Sequence, residues 1–96
     1  MASGKIRIGV IGCGFYAQNH LHAWNDLASQ GAVLSAVCDV DAGKARAAGL
    51  SFGVPFYTDA AAMLAAERLH AVDIVTRHET HRALCELAIE IGRAHV

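Results

Sequence analysis

No run of apolar residues in these 96 positions is long enough to cross a bilayer. The opening Met1-Ala2-Ser3-Gly4-Lys5 lacks the apolar core of a secretion signal. A cytoplasmic location is the resulting expectation. Basic residues are few and scattered: 8 Lys and Arg against 9 Asp and Glu, for a net charge of −1. No basic stripe forms, which argues against nucleic acid as the main partner. The three cysteines are odd in number and none makes a C-x-x-C pair, so a disulfide framework is not expected. Cys38 and Cys85 sit among apolar residues and read as small buried hydrophobes in a reducing compartment. Metal-ligand spacing is missing too, despite six histidines. His20 and His22 would point to different faces of a helix. His78-Glu79-Thr80-His81 falls one residue short of H-E-x-x-H, and no metal is expected. Internal repeats and low-complexity tracts are absent.

What the chain does have is apolar mass. Hydrophobic residues make up 54% and charged residues only 18%, so the chain should collapse around a core. That mass is organised around Ile8-Gly9-Val10-Ile11-Gly12-Cys13-Gly14-Phe15-Tyr16-Ala17. An apolar strand stops at Gly12, and a helical pattern starts just past Gly14. Between them stands G-x-G-x-x-A, the Ala-ended form of the dinucleotide-binding turn. Gly12 permits the tight turn, Gly14 lets a pyrophosphate approach the backbone, and Ala17 lets the helix pack close to the strand. The helix N-terminus then offers free N–H groups and a positive dipole end. The same dipole end next to Cys13 could lower that thiol's pKa, but a phosphate-cradling loop leaves its second position nearly free, so an activated cysteine is the minor reading.

Lys5–Ile11 reads as a first strand and Phe15 to about Gln30 as a first helix, with Ala17, Leu21, Trp24 and Ala28 on one face and Gly31 ending it. Val33–Cys38 is a second strand. It ends in Asp39, which lies 22 residues beyond Ala17, close to the offset of a ribose-binding acid. A carboxylate there accepts from ribose hydroxyls and repels a 2′-phosphate, which favours NAD. Lys44 and Arg46 nearby keep NADP in play. Asp41 caps a second helix to about Phe52, ended by Gly53. Val54–Tyr57 reads as an edge strand, and Asp59 caps a third helix over Ala60–Ala66, with Met63 and Leu64 as core residues. Ala71–Thr76 is a fourth strand. A polar cluster, Thr76 to His81, follows, then a helix from about Thr80 to Ile91, and Ala94–Val96 begins a fifth strand. His20 is read as packing or hydrogen-bonding within the first helix, and His22, His70 and His95 as surface or loop residues.

This β-α-β alternation with short loops implies an α/β, doubly wound, Rossmann-like parallel sheet of order 3-2-1-4, with the fifth-strand stub beside strand 4. The glycine turn and residues 76–81 then open into one crevice at the topological switch point. A methyltransferase is disfavoured, because Ile8–Ile11 holds no acid ahead of the glycines.

With these phrases the chain resembles the N-terminal domain of the Gfo/Idh/MocA oxidoreductases. The matching stretches are the glycine turn running into Ala17-x-x-His20-Leu21, Val37-Cys38-Asp39-Val40-Asp41, Phe52-Gly53-Val54-Pro55-x-Tyr57-Thr58-Asp59, and Val72-Asp73-Ile74-Val75-Thr76 with His81-Arg82-Ala83-Leu84. The resemblance implies a nicotinamide cofactor, NAD or NADP, and hydride transfer from a sugar or polyol alcohol. It places Gly12, Cys13, Gly14, Phe15 and Tyr16 along the pyrophosphate and Asp39 on the adenosine ribose. Thr76, His78 and His81 would lie near the nicotinamide half. Where such proteins usually carry proline after the strand-4 threonine, this chain has Arg77. The family's Glu-Lys-Pro motif, which holds a catalytic lysine, would come after the fifth strand, and a substrate domain with the usual subunit contacts after that. Residues 1–96 are therefore expected to be an incomplete dinucleotide-binding domain, inactive alone, and the resemblance leaves a homo-oligomer open, with its contacts in the missing domain. A second reading is a non-catalytic nucleotide-binding or sensor module that docks on a partner chain.

Overall fold

The computed structural model describes residues 6–14, 17–75, 85–86 and 94–95. Strand β1 (Ile6–Ile11) leads through the glycine turn into helix α1 (Ala17–Asp26), which a short 3-10 turn (Ala28–Gln30) extends. Then come β2 (Ala32–Cys38), α2 (Ala42–Phe52), β3 (Phe56–Tyr57), α3 (Ala60–Ala66), β4 (Ala71–Ile74) and β5 (Ala94–His95). The sheet order is β3-β2-β1-β4-β5, with every pairing parallel, as the alternation of the sequence predicts. Cys85 and Glu86 are helical; the rest of the helix expected over 80–91, Thr76 and Val96 lie outside the described residues. Among the described residues no helix is long and apolar enough to cross a membrane.

Local chemistry sets the element ends. The Asp41 side chain accepts from the Lys44 N–H and the Asp59 side chain from the Ala62 N–H, each satisfying an orphan donor of a first turn. Gly53 closes α2 in the left-handed region at φ 65°, where a side chain would be strained. The first helix is shorter than its apolar spacing suggests. It stops at Asp26, and Ala28 falls in the 3-10 turn, exposed instead of on the core face. Gly31, at φ 95°, ends that turn and returns the chain to β2. The third strand is reduced to Phe56–Tyr57, although the Pro55 carbonyl already accepts from the Val37 N–H at 3.0 Å.

Two apolar layers cover the sheet, as parallel strands require. Leu21 and Ala48, with half-buried Trp24, cover Ile8, Val10, Leu34 and Val37 on the α1/α2 face. Met63, Leu64 and Leu69 cover Ile11, Ala36, Cys38, Val72 and Ile74 on the other face, and Cys85 packs there as well. Leu34 and Val37 share a face although three residues apart, because the β1–β2 register shifts between Ile8 and Gly9 and leaves Ser35 as the extra residue of a bulge. Arg7 fastens the lower edge. Its guanidinium meets Glu67 at 3.4 Å, its Nε donates to the Arg68 carbonyl at 2.7 Å, and its N–H donates to His70 Nδ1 at 2.9 Å.

Gly49 marks the closest approach of α2 to the chain entering β3. A Cβ there would stand 2.9 Å from the Val54 carbonyl oxygen and 2.9 Å from Phe56 Cβ. Alanine gains about 1 kcal/mol of helix propensity over glycine in a helix interior, but the Val54 oxygen is backbone and the Phe56 Cβ is bonded directly to backbone, so neither can swing aside. Gly49→Ala should therefore destabilise the chain by about 1–3 kcal/mol. Urea denaturation followed by circular dichroism checks this, and a stabilised variant would show the contact to be loose.

Candidate cofactor site

Strand β1 has β2 on one side and β4 on the other, so the chain's direction of travel across the sheet reverses beside it. The carboxyl ends of β1 and β4 frame a crevice at that reversal. Gly12 leaves β1 at φ 102°, a conformation that favours glycine. Its N–H donates to the Cys38 carbonyl at 2.7 Å, which pins the turn against the end of β2. The Gly14 carbonyl accepts from the Ala17 N–H at 3.1 Å, and Gln18 Nε2 donates to the Cys13 carbonyl at 3.2 Å. Ala17 is 1% exposed, so the small residue required for close helix–sheet packing is in place.

Asp39 follows directly after β2 and is half-buried. Its Oδ2 accepts from the Cys13 N–H at 2.7 Å and its Oδ1 from the Asp41 N–H at 2.8 Å. The acid is thus built into the glycine turn and is not a solvated strand end. Each oxygen keeps one lone pair for a further donor. Gly14 completes the geometry. A Cβ there would meet no atom of the described residues within 4 Å, and its φ is not in the positive range. Neither its φ nor packing against the described residues requires a glycine here, and the bare backbone leaves room for a ligand. Its own N–H has no partner among the described residues. An open glycine backbone at the head of a ten-residue helix, next to a fixed carboxylate, fits a phosphate bridge followed by a ribose.

Cys13 is not the activated thiol that its place beside a helix N-terminus would allow. Its side chain is buried against the α1/α2 layer, and its Sγ contacts the Cys38 carbonyl at 3.4 Å. Burial, aided by the Asp39 carboxylate, pushes its pKa up to about 12, so the dipole of α1 does not activate it. Cys38, on the opposite face, is pushed up to about 11, again by burial and then by Asp39. His20 differs from expectation. It bonds across to the sheet rather than within its helix, its Nδ1 standing 2.7 Å from Asp73 Oδ2. His22 packs edge-on against Phe52, and His70 accepts the Arg7 N–H described above. Among the described residues no three His, Cys, Asp or Glu side chains gather as a metal site.

The structure brings Gly12, Cys13, Gly14 and Asp39 together. Phe15, Tyr16, Thr76, His78 and His81, the other residues expected to line the cofactor, lie outside the described residues. Asp73 was not singled out by sequence reasoning. It is 4% exposed in β4 and takes Trp24 Nε1 at 2.8 Å as well as His20. The signal was an acid at an inward position of the apolar phrase Ala71-Val72-Asp73-Ile74-Val75.

Comparison with known proteins agrees with this geometry. Residues 6–96 match the profile of an oxidoreductase family described as having an NAD-binding Rossmann fold. The D-apiose dehydrogenase of Paraburkholderia graminis is 52% identical over 93 residues, which is 96% of this chain and 24% of that protein. The inositol 2-dehydrogenase of Burkholderia cenocepacia is 36% identical over 90 residues, covering 92% of this chain and 26% of that protein. Among solved structures, an oxidoreductase from Agrobacterium radiobacter in complex with NAD+, L-tartaric acid and magnesium superposes with a TM-score of 0.88 at 39% identity, over 95% of this chain and 26% of that one. The chain therefore spans about a quarter of the length of these relatives.

The buried thiols make a chemical prediction. Native chain treated with iodoacetamide at about pH 8 should stay unmodified at Cys13 and Cys38, because the thiolate is the reactive form; peptide mass mapping reads this directly. Stability should also depend on alkaline pH. The folded pKa values lie above the ordinary 9.0, so their contribution is complete below pH 9.0 and is lost as pH rises toward about 11 to 12. A Cys13→Ala, Cys38→Ala chain should show a flatter decline over that window in denaturant titrations.

Proposed function

The chain belongs to the Gfo/Idh/MocA oxidoreductase family, matching its NAD-binding Rossmann fold over residues 6–96, and from that premise we propose that it is the cofactor-holding part of a sugar or polyol dehydrogenase. The observation that carries this reading is the pairing of the open Gly14 backbone with the anchored Asp39 carboxylate. Relatives named D-apiose dehydrogenase and inositol 2-dehydrogenase point to polyhydroxylated alcohols as the substrate class. Bound in the crevice, the dinucleotide would supply the hydride acceptor at its nicotinamide ring.

The chain's own residues bind and orient. Gly12, Cys13 and Gly14 present backbone to the pyrophosphate, and the α1 N-terminus adds its dipole. Phe15 and Tyr16, next in the turn sequence, would extend that contact. Asp39 accepts from the adenosine ribose hydroxyls through its remaining lone pairs. Its charge opposes a 2′-phosphate, which selects NAD over NADP even though Lys44 and Arg46 are exposed on the adjoining helix. Thr76, His78 and His81, which follow β4 in the sequence, would hold the nicotinamide half, and His81 has the chemistry to contact the carboxamide or move a proton. Proton abstraction from the alcohol and the substrate wall are assigned to polypeptide equivalent to the unmatched part of the relatives. Without it, the 96 residues bind cofactor and turn over no substrate. Homo-oligomers would form through that same part.

Gly14→Val tests the site independently of the fold. The new side chain enters space that no atom of the described residues occupies, so the melting temperature should stay within about 2 °C. NAD affinity by calorimetry should fall at least about tenfold, or 1.4 kcal/mol. Equal affinity in variant and parent would remove the pyrophosphate from this turn. Asp39→Ser should narrow the NAD-to-NADP affinity ratio by about tenfold, the value of one charge-assisted contact. That ratio does not depend on the fraction of folded chain. An unchanged ratio would show that Asp39 only braces the turn.

A further inference from the structure

The two arms of the glycine turn meet again at one residue. On the way into the turn, Val10 of β1 stands opposite Asp73 of β4 in the parallel ladder. On the way out, His20 of α1 meets the side chain of that same Asp73, its Nδ1 2.7 Å from Oδ2. Residues 10–20, which contain the whole G-x-G-x-x-A phrase, are thus a loop closed on Asp73. Trp24 adds a second tie one helical turn further on, donating its Nε1–H to the same oxygen at 2.8 Å.

These ties matter because α1 has little else to fix its orientation. Of its ten residues it buries only Ala17 and Leu21. Those two lie four positions apart and make one narrow stripe, about which a helix can roll. Leu21 packs on β1 and β2. His20 and Trp24, also four apart, make a second stripe that reaches β4 instead. A helix held along two stripes by different strands cannot roll. Asp73 gives firm anchorage, since its side chain is only 6% exposed inside a strand. An acid there is costly unless paired, and packing alone would favour valine or isoleucine in a strand covered on both faces. A roll of about 30° would carry backbone on the helix cylinder through about 1 Å, enough to take an N–H out of hydrogen-bond range of a phosphate oxygen.

We propose that Asp73 is a positioning residue for the dinucleotide: through His20 and Trp24 it sets the roll of α1, and thereby aims the helix N-terminus and the Gly14 backbone at the pyrophosphate. The inference rests on the cofactor reading of the crevice given above. Asp39 holds the turn from the β2 side, and Asp73 holds it from the β4 side. His20 acts as a strut and not as a cofactor ligand. A carboxylate only accepts, so the imidazole donates from Nδ1.

Two readouts test this: calorimetric titration of the chain with NAD, and the emission of the free chain, in which Trp24 is the single tryptophan. His20→Ala should weaken NAD about fivefold, the value of one hydrogen bond. It should also move Trp24 emission to longer wavelength, because α1 rolls away from β4. His20→Asn should restore the emission and bring affinity to within about twofold of the parent, since the asparagine Nδ2 donates from the place of Nδ1. Helix stability alone predicts the reverse order, alanine being the better helix former. Gly49→Ala, strained away from the crevice, should bind NAD as the parent does when folded. Emission unmoved by His20→Ala would overturn the proposal, as would an asparagine variant that binds as weakly as the alanine one. An equal loss in Gly49→Ala would reduce the effect to stability and overturn it too. Full affinity in His20→Ala beside a loss in Gly14→Val would overturn it while the cofactor reading stands. A parent that binds no NAD, or a Gly14→Val chain that binds as the parent does, would defeat the cofactor reading and this inference with it.

Discussion

The Asp39 carboxylate holds the site together. One oxygen takes the N–H of Cys13 and the other takes the N–H of Asp41. Two loops from different strands, separated by a whole βα unit, are thereby fixed to one planar group. Hydrogen bonds to a charged acceptor are shorter and stronger than neutral ones, and these two keep the glycine turn at a set distance from the end of β2. The carboxylate and the glycine turn are consequently parts of one assembly, which is the arrangement the proposed ribose and phosphate contacts require. This fits the general need for binding groups to be positioned before the ligand arrives.

That assembly depends in turn on packing that no polar residue supplies. The turn lies where it does because Gly12 leaves β1 in the positive φ range, Ala17 is small enough to sit against the sheet, and Cys13 buries its thiol beneath α1. Burying the thiol explains why a cysteine beside a helix N-terminus is inert. The apolar surroundings and the Asp39 charge both oppose ionisation, and here they outweigh the dipole. The bulge at Ser35 performs a similar task on β2. It resets the alternation so that Val37 faces α1 and α2 while Cys38 faces α3, and Asp39 emerges at the end that meets the turn.

Asp73 shows a second use of a strand acid. Asp39 stands past the end of its strand, where an acid is easily read as a ligand. Asp73 stands inside β4, amid valine and isoleucine, and is matched by His20 and Trp24 from α1. The two acids sit on neighbouring strands of β1, one serving the crevice and one serving the contact between α1 and the sheet. Trp24 looks like an ordinary core aromatic by its spacing from Leu21. Its indole N–H gives it a polar duty that the spacing cannot reveal.

The sequence by itself determined the order and type of the elements, because apolar periodicity, Asp41 and Asp59 caps, and the Gly31 and Gly53 stops are local signals that need no distant partner. It also determined the strand order, since short connections and right-handed crossovers leave few alternatives, and it marked Gly12, Gly14 and Asp39, whose chemistry follows from residue type and spacing. Tertiary structure alone decided what lies between elements. The early end of α1 and the exposure of Ala28 reflect where the chain must turn to enter β2. The raised pKa of Cys13 reflects burial in a layer shared by β1, α1, β2 and α2. His20 bonding to Asp73, 53 residues away, is a contact made by the sheet's topology. A one-dimensional pattern records each residue's own preferences, whereas burial and pairing belong to neighbours that become adjacent only when β4 docks beside β1.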